Sequence, residues 1–245
     1  MTDTYSVIIP AYNEEQLLGQ SLSALKKAMD VIDMRGGIIV VDNNSSDRTA
    51  QVAEAQGVQV IFEPINQISR ARNTGARSAS GKYFIFLDAD TILSVELLQL
   101  VLAKLTGGTC CGGGALVAFD NPIPWYARWV PAVWNRLALR CGLAAGCFMY
   151  CLREGFEAIG GFNENVYASE EIWFSRRLSR WGKTRRLAFE VVTQPSIVTS
   201  SRKMQDHPLR NLLAFCFVLA FPFAVRFRRL SGLWYYRRPA KDRHR

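Results

Sequence analysis

Short, nearly unbroken apolar runs alternate with amphipathic stretches through the first ninety residues of the chain. Residues 5–11 read as a buried strand that Pro10 brings to an end, because proline has no N–H to give a ladder. Leu17, Leu18, Leu22, Leu25, Met29 and Ile32 then recur at helical spacing, which predicts a helix with Asn13 as its cap and Glu14 and Glu15 in its first turn. A second strand is predicted over 38–41, ending at Asp42, and the polar run 43–47 turns the chain and caps a helix that stops at Gly57. A third strand over 58–62 and a helix over 69–80 follow. The next strand, Tyr83-Phe84-Ile85-Phe86-Leu87, runs directly into Asp88-Ala89-Asp90.

Apolar strands separated by helices predict an α/β fold: a mostly parallel sheet sandwiched by helices. In such sheets ligands bind where the carboxyl ends of the strands open into a crevice. That rule gathers Ala11, Tyr12, Asn13, Asp42, Asp88 and Asp90 at one edge. Side chains two apart on a strand point the same way, so Asp88 and Asp90 present two hard oxygen ligands together. An incomplete oxygen set suits a divalent cation that also holds a substrate's phosphates. No Gly-x-Gly-x-x-Gly follows the first strand and no Gly-Lys-Ser/Thr occurs, which excludes dinucleotide-fingerprint and P-loop readings.

Composition changes this picture mainly at the C-terminus. The 245 residues carry a formal charge of +9. Basic and acidic residues balance up to Ser201, whereas residues 202–245 hold 11 basic and two acidic side chains. Within that tail, 212–225 is an unbroken apolar run flanked by Arg210, Arg226, Arg228 and Arg229, with Trp234, Tyr235 and Tyr236 beyond. As a helix it would extend about 21 Å, short of a bilayer's hydrocarbon thickness, and Pro222 would kink it. An interfacial or re-entrant anchor on an anionic membrane surface is expected, against a core helix followed by a solvated basic tail. The segment 121–143, rich in Trp125, Tyr126, Trp129, Trp134, Arg128, Arg136 and Arg140, suits a bilayer interface or glycan acceptor, or else an ordinary amphipathic helix over the core. The N-terminus runs straight into a strand without a secretory signal, so the expected location is cytoplasmic, peripheral or monotopic on the inner membrane face. The six cysteines lack Cys-x-x-Cys spacing, and the only histidines, His207 and His244, lie in the tail. Structural zinc and a Ser-His or Cys-His pair in the main domain are not expected.

The ordered segments 6–15 (Ser-Val-Ile-Ile-Pro-Ala-Tyr-Asn-Glu-Glu), 40–49 (Val-Val-Asp-Asn-Asn-Ser-Ser-Asp-Arg-Thr), 71–75 (Ala-Arg-Asn-Thr-Gly) and 88–90 resemble the inverting family 2 glycosyltransferases, nucleotide-sugar enzymes of the GT-A fold. Gly160-Gly161-Phe162-Asn163-Glu164 and Ser169-Glu170-Glu171-Ile172 resemble that family's Gly-Gly-Phe and Glu-Asp segments. The match covers roughly 5–203. It implies a GT-A domain over 1–205, with a donor half to about 107 and an acceptor half from 108, and a membrane-associating segment over 206–245.

The resemblance further implies that Asp90, with Asp88, holds Mn²⁺ or Mg²⁺ against a nucleoside-diphosphate sugar. Pro10, Ala11, Tyr12 and Asp42 would line the base pocket, and Glu14, Arg72, Asp88 and Arg202 would complete the donor site. The alternatives read Arg72 as a solvated helix residue and Glu14 as a first-turn acid. Glu171, with Glu170, would be the catalytic base for the acceptor hydroxyl. Relatives mostly end this pair in aspartate, so here the carboxylate stands one methylene further out. Ser169 would cap that helix, whose dipole favours the ionised form. The Gln-x-x-Arg-Trp motif of processive members is absent, with Thr199-Ser200-Ser201-Arg202-Lys203 at a similar distance. Transfer of a single sugar to a glycan or lipid-linked acceptor is therefore expected, with no nucleic-acid partner. A nucleotidyltransferase in the same cleft, and a catalytically silent membrane scaffold, are the alternatives.

Overall fold

The computed structural model of the chain describes residues 4–122 and 129–202. The expected tail segment, with its membrane anchor, and Trp125, Tyr126, Arg128 and Lys203 lie outside the described residues.

The first strand, β1 (Tyr5–Ala11), is buried along its whole length. It pairs in parallel with β2 (Gly36–Asp42) on one side and β4 (Tyr83–Leu87) on the other. β2 in turn pairs in parallel with β3 (Gln59–Phe62). This half of the sheet is the expected one. Beyond β4 the direction changes: β7 (Phe148–Leu152) pairs antiparallel with β4, and β6 (Cys110–Phe119) antiparallel with β7. β8 (Ala188–Thr199) runs parallel to β6 and antiparallel to the two-residue β5 (Thr91–Ile92). The described order is β3-β2-β1-β4-β7-β6-β8-β5. The sheet is thus mixed, with the parallel pairings in the majority as expected and β7 and β5 as the antiparallel members. Strands and helices still alternate after Asp90, but β7 enters the sheet between β4 and β6 in the opposite sense to both.

Helices cover both faces. Leu18, Leu22 and Leu25 of α1 (Leu18–Met29), with Leu97, Leu98, Val101 and Leu105 of α4 (Val95–Thr106), bury against Val7, Ile9 and Ile85. α2 (Thr49–Ala55) adds Ala53 to the same layer. The opposite layer packs Ile8, Val41, Phe84 and Phe86 against α3 (Ile68–Ser78), α6 (Arg153–Ala158) and α7 (Glu170–Lys183). α5 (Trp129–Cys141) lies on β6, where Asn135 exchanges two 3.0 Å hydrogen bonds with the backbone of Val117. It is the helix anticipated within 121–143.

Gly75 lets α3 approach the sheet, since a Cβ there would stand 2.5 Å from Ile8 Cγ2 and 2.9 Å from Val41 Cγ2. α1 begins five residues after Asn13, so Asn13 is not its cap and Glu14 and Glu15 precede its first turn. Instead Asn13 adopts a left-handed backbone (φ 54°) and accepts the Ser46 N–H at 2.8 Å, while its own N–H donates to Ser45 Oγ at 3.0 Å. A short polar side chain serves two loops better here than one helix end.

Candidate active site

The carboxyl ends of β1, β2 and β4 meet at one edge, as the crevice rule requires. Pro10 and Ala11 end β1 beside Val41 and Asp42 of β2. Ala11 O accepts the Asn43 N–H at 2.8 Å, and Asp42 Oδ1 accepts the Ser45 N–H at 3.1 Å. Tyr12 is half-buried next to this turn. Glu14 is buried, with its N–H on Thr49 Oγ1 at 2.8 Å. Its carboxylate accepts Arg202 Nη2 at 2.8 Å across 188 residues of sequence.

The pairing of β5 with β8 brings Arg202 there. Thr91 Oγ1 donates to Thr199 Oγ1 at 2.9 Å, Ser200 N–H to Asp90 O at 3.1 Å, and Ser201 N–H to Asp120 Oδ1 at 2.8 Å. The segment after β8 is thereby laid against Asp90, which is only 7% exposed.

At the centre stands Arg72 of α3, 1% exposed. It is not a solvated helix residue. Nη1 donates to Glu170 Oε1 at 2.6 Å, and Nη2 donates to Asp88 Oδ1 at 3.1 Å and to Gly146 O at 2.6 Å. The guanidinium carbon lies 5.2 Å from the centre of the Phe162 ring. Burial by itself lowers the pKa of such a group, but the charges of Asp88, Glu170 and Glu171 outweigh it and raise it. One buried cation thus joins Asp88 to the pair at the start of α7.

Glu170 is buried, and Glu171 is half-buried beside it. Burial, then the neighbouring Glu170 charge, pushes the Glu171 carboxyl up to about 8. This reverses the expectation from the helix dipole, because desolvation and like charge outweigh the partial charge of a helix end. Ser169 likewise does not cap α7 through its side chain. It takes a left-handed backbone (φ 60°), which turns the chain into the helix without a side-chain hydrogen bond.

Asn73, next to Arg72, ties α3 to the Gly-Gly-Phe segment. Its Nδ2 donates to Phe162 O at 3.0 Å, and its Oδ1 accepts the Phe162 N–H at 2.9 Å. Gly160 and Gly161 carry φ of 73° and 68°, which delivers Phe162 beneath Arg72. Two contributions had no sequence signal. The carbonyls of Gly146 and Cys147 accept Arg72 Nη2 and the Asp88 N–H, the latter at 3.0 Å, and any residue type supplies a carbonyl.

Among the described residues no group of three or more His, Cys, Asp or Glu forms a closed metal cage. Asp88 and Asp90 offer carboxylate oxygen only. That donor set fits a hard divalent cation whose remaining positions belong to substrate oxygens or water.

A mixed sheet with helices on both faces and carboxylates converging at its edge defines a GT-A-type transferase fold. Residues 6–160 match the model of glycosyl transferase family 2, and the chain belongs to that family. It is 33% identical over 131 residues to an uncharacterised glycosyltransferase of Mycobacterium bovis, covering 51% of this chain and 55% of that one. The chain therefore spans about half the length of that relative. Its fold is similar to the mannosyltransferase PcManGT of Pyrobaculum calidifontis, solved with GDP-Man and Mn²⁺: TM-score 0.70 at 20% identity, covering 96% of this chain and 71% of that one. It is also similar to Staphylococcus aureus TarS 1–349 solved with UDP-GlcNAc: TM-score 0.60 at 17% identity, covering 88% and 66%.

Proposed function

We propose that the protein transfers a single sugar, with inversion, from a nucleoside-diphosphate sugar to a glycan or lipid-linked acceptor at an anionic membrane surface. The observation that carries this reading is the Arg72 junction, where donor-side Asp88 and acceptor-side Glu170 share one buried guanidinium at the sheet edge. Family membership supports the reaction class. Complexes of the two structural relatives with GDP-Man and UDP-GlcNAc support a nucleotide-sugar donor.

In this reading Pro10, Ala11, Tyr12 and Asp42 hold the base. Arg202 and Glu14 border the diphosphate, and Asp90 with Asp88 holds Mn²⁺ or Mg²⁺. When bound, that cation supplies Lewis-acid charge to the departing diphosphate. Glu171 takes the proton of the acceptor hydroxyl as its oxygen bonds to the anomeric carbon, on the face opposite the carbon–oxygen bond that breaks. A half-buried carboxyl poised near 8 suits that role better than an ordinary solvated one, because base strength follows pKa. Arg72 keeps the two carboxylate sets in register. The GT-A domain would span 1–205, and the basic segment 206–245 would hold it at the membrane.

The test is thermal unfolding with UDP, GDP, CDP and dTDP, with and without Mn²⁺, on wild type and Asp90→Ala. One diphosphate stabilises wild type only with the metal, and stabilises Asp90→Ala not at all. No shift with any of them overturns the reading.

A further inference from the structure

The balance of basic and acidic residues up to Ser201 conceals a concentration on one element. Residues 172–189 contain Arg176, Arg177, Arg180, Lys183, Arg185 and Arg186 and no acid. All six are exposed. Arg185 lies 3.7 Å from Glu154, and none of the other five forms an ion pair among the described residues. At about 100° per residue, Trp173, Arg176, Arg177, Arg180 and Lys183 share an arc of about 120° on α7. Phe174, Ser175, Leu178, Trp181 and Gly182 are buried in the core on the other side. Trp173, 48% exposed, stands on the cationic face.

A solvated helix face ordinarily mixes signs, since like charges three and four residues apart repel. The helix dipole accounts for Arg180 and Lys183 in the last turn. It gives no reason for Arg176 and Arg177 in mid-helix or for an exposed indole beside them. An aromatic ring among unpaired arginines matches a surface that is anionic at the headgroups and apolar just beneath. A stripe of the same composition lies on α5, where exposed Trp129, Val133, Arg136 and Arg140 follow helical spacing. The loop that follows α5 meets α7 through the Ala144 N–H on Ser175 Oγ at 3.0 Å.

We propose that the outer face of α7 is a docking surface for an anionic lipid bilayer, with Trp173 entering the headgroup layer. Binding itself is independent of the sugar-transfer reading. Its consequence rests on that reading: α7 begins with Glu170 and Glu171, so docking through this face sets the base end of the site near lipid-borne acceptors.

The experiment uses the full chain with its basic tail intact, so that a loss belongs to α7. Partitioning onto phosphatidylcholine vesicles with and without phosphatidylglycerol is measured by cosedimentation for wild type, R176E/R177E/R180E, R176K/R177K/R180K and W173A. Wild type binds only the anionic vesicles, and added salt weakens binding. Charge reversal lowers partitioning at least about tenfold, the lysine variant retains it, and W173A binds a few-fold less. Circular dichroism and the diphosphate-dependent thermal shift are unchanged in all three, so failure of docking is distinguishable from failure of the donor site. Charge-reversed protein that partitions like wild type overturns the proposal. So does equal binding to neutral vesicles, absence of vesicle binding, or binding of a soluble polyphosphate in place of vesicles.

Discussion

Glu171 shows how one residue's environment sets its chemistry. Its carboxyl stands at about 8 against an ordinary 4.5, first because it is desolvated and then because Glu170 is beside it. Only the ionised form accepts a proton, so kcat/KM, which reports the free enzyme, rises with pH and levels off above about 8. Glu171→Gln removes turnover by at least about a hundredfold while keeping the diphosphate-dependent thermal shift. The stability effect has the opposite sense. A carboxyl whose folded pKa is raised binds more protons folded than unfolded, so its contribution is whole below 4.5 and is lost as pH rises through about 8. Glu171→Gln therefore melts at a higher temperature than wild type in alkaline buffer, read from melting curves across pH. A variant that melts lower there would refute the burial account. Arg72 makes the complementary point. Removing it leaves Asp88 and Glu170 without their shared cation, and Arg72→Ala is expected to cost about 3–5 kcal/mol in urea denaturation. Arg72→Lys keeps the charge but cannot reproduce the fork to Asp88, Gly146 and Glu170. It stays folded and loses kcat by about tenfold or more, with donor KM changed less.

At the scale of elements, helix packing against the sheet depends on a few close approaches. A Cβ at Gly75 would meet two core side chains, those of Ile8 and Val41, inside contact distance. Gly75→Ala therefore destabilises by about 1–3 kcal/mol through overpacking, although alanine is the better helix former by up to about 1 kcal/mol. The urea midpoint reads the outcome, and an unchanged or higher midpoint would show that α3 retreats without penalty. Element boundaries were legible where periodicity was strong: β1 was anticipated to the residue, and α3 was placed over 69–80 where it runs Ile68–Ser78. Asn13, Glu14 and Ser169 were misread as helix-end residues. Each has the composition of a cap, but partners 32 to 35 residues away at Asn13 and Glu14, and a backbone turn at Ser169, determine what they do.

At the scale of the whole molecule, the described chain closes on itself at the sheet edge. Arg202, where the described residues end, pairs with Glu14 near the start, and its side chain is 20% exposed. Arg202→Ala is expected to weaken the affinity for the stabilising diphosphate by about tenfold, measured calorimetrically, because a cation placed at a diphosphate acts through a charge-assisted contact. Its melting temperature falls as well, because the buried Glu14 carboxylate loses this cation. Among the described residues no helix is long and apolar enough to cross a membrane.

What the chain determines by itself is local and periodic. Apolar alternation specified the parallel half of the sheet, whereas β4 ends at Leu87 and Asp88 to Asp90 form a turn closed by the Thr91 N–H on Asp88 O at 3.1 Å, so the strand's two-residue period does not set those two side chains. The tertiary structure decided what depends on segments far apart in sequence. The second half of the sheet took up β7 and β5 in antiparallel pairings, Arg72 was enclosed by Asp88, Gly146 and Glu170, and Glu171 acquired a raised pKa through burial. Charges and hydrogen-bonding groups carry no sequence record of their eventual neighbours. Desolvation and pairing exist only once packing has brought those neighbours together, and here both set the chemistry of the site.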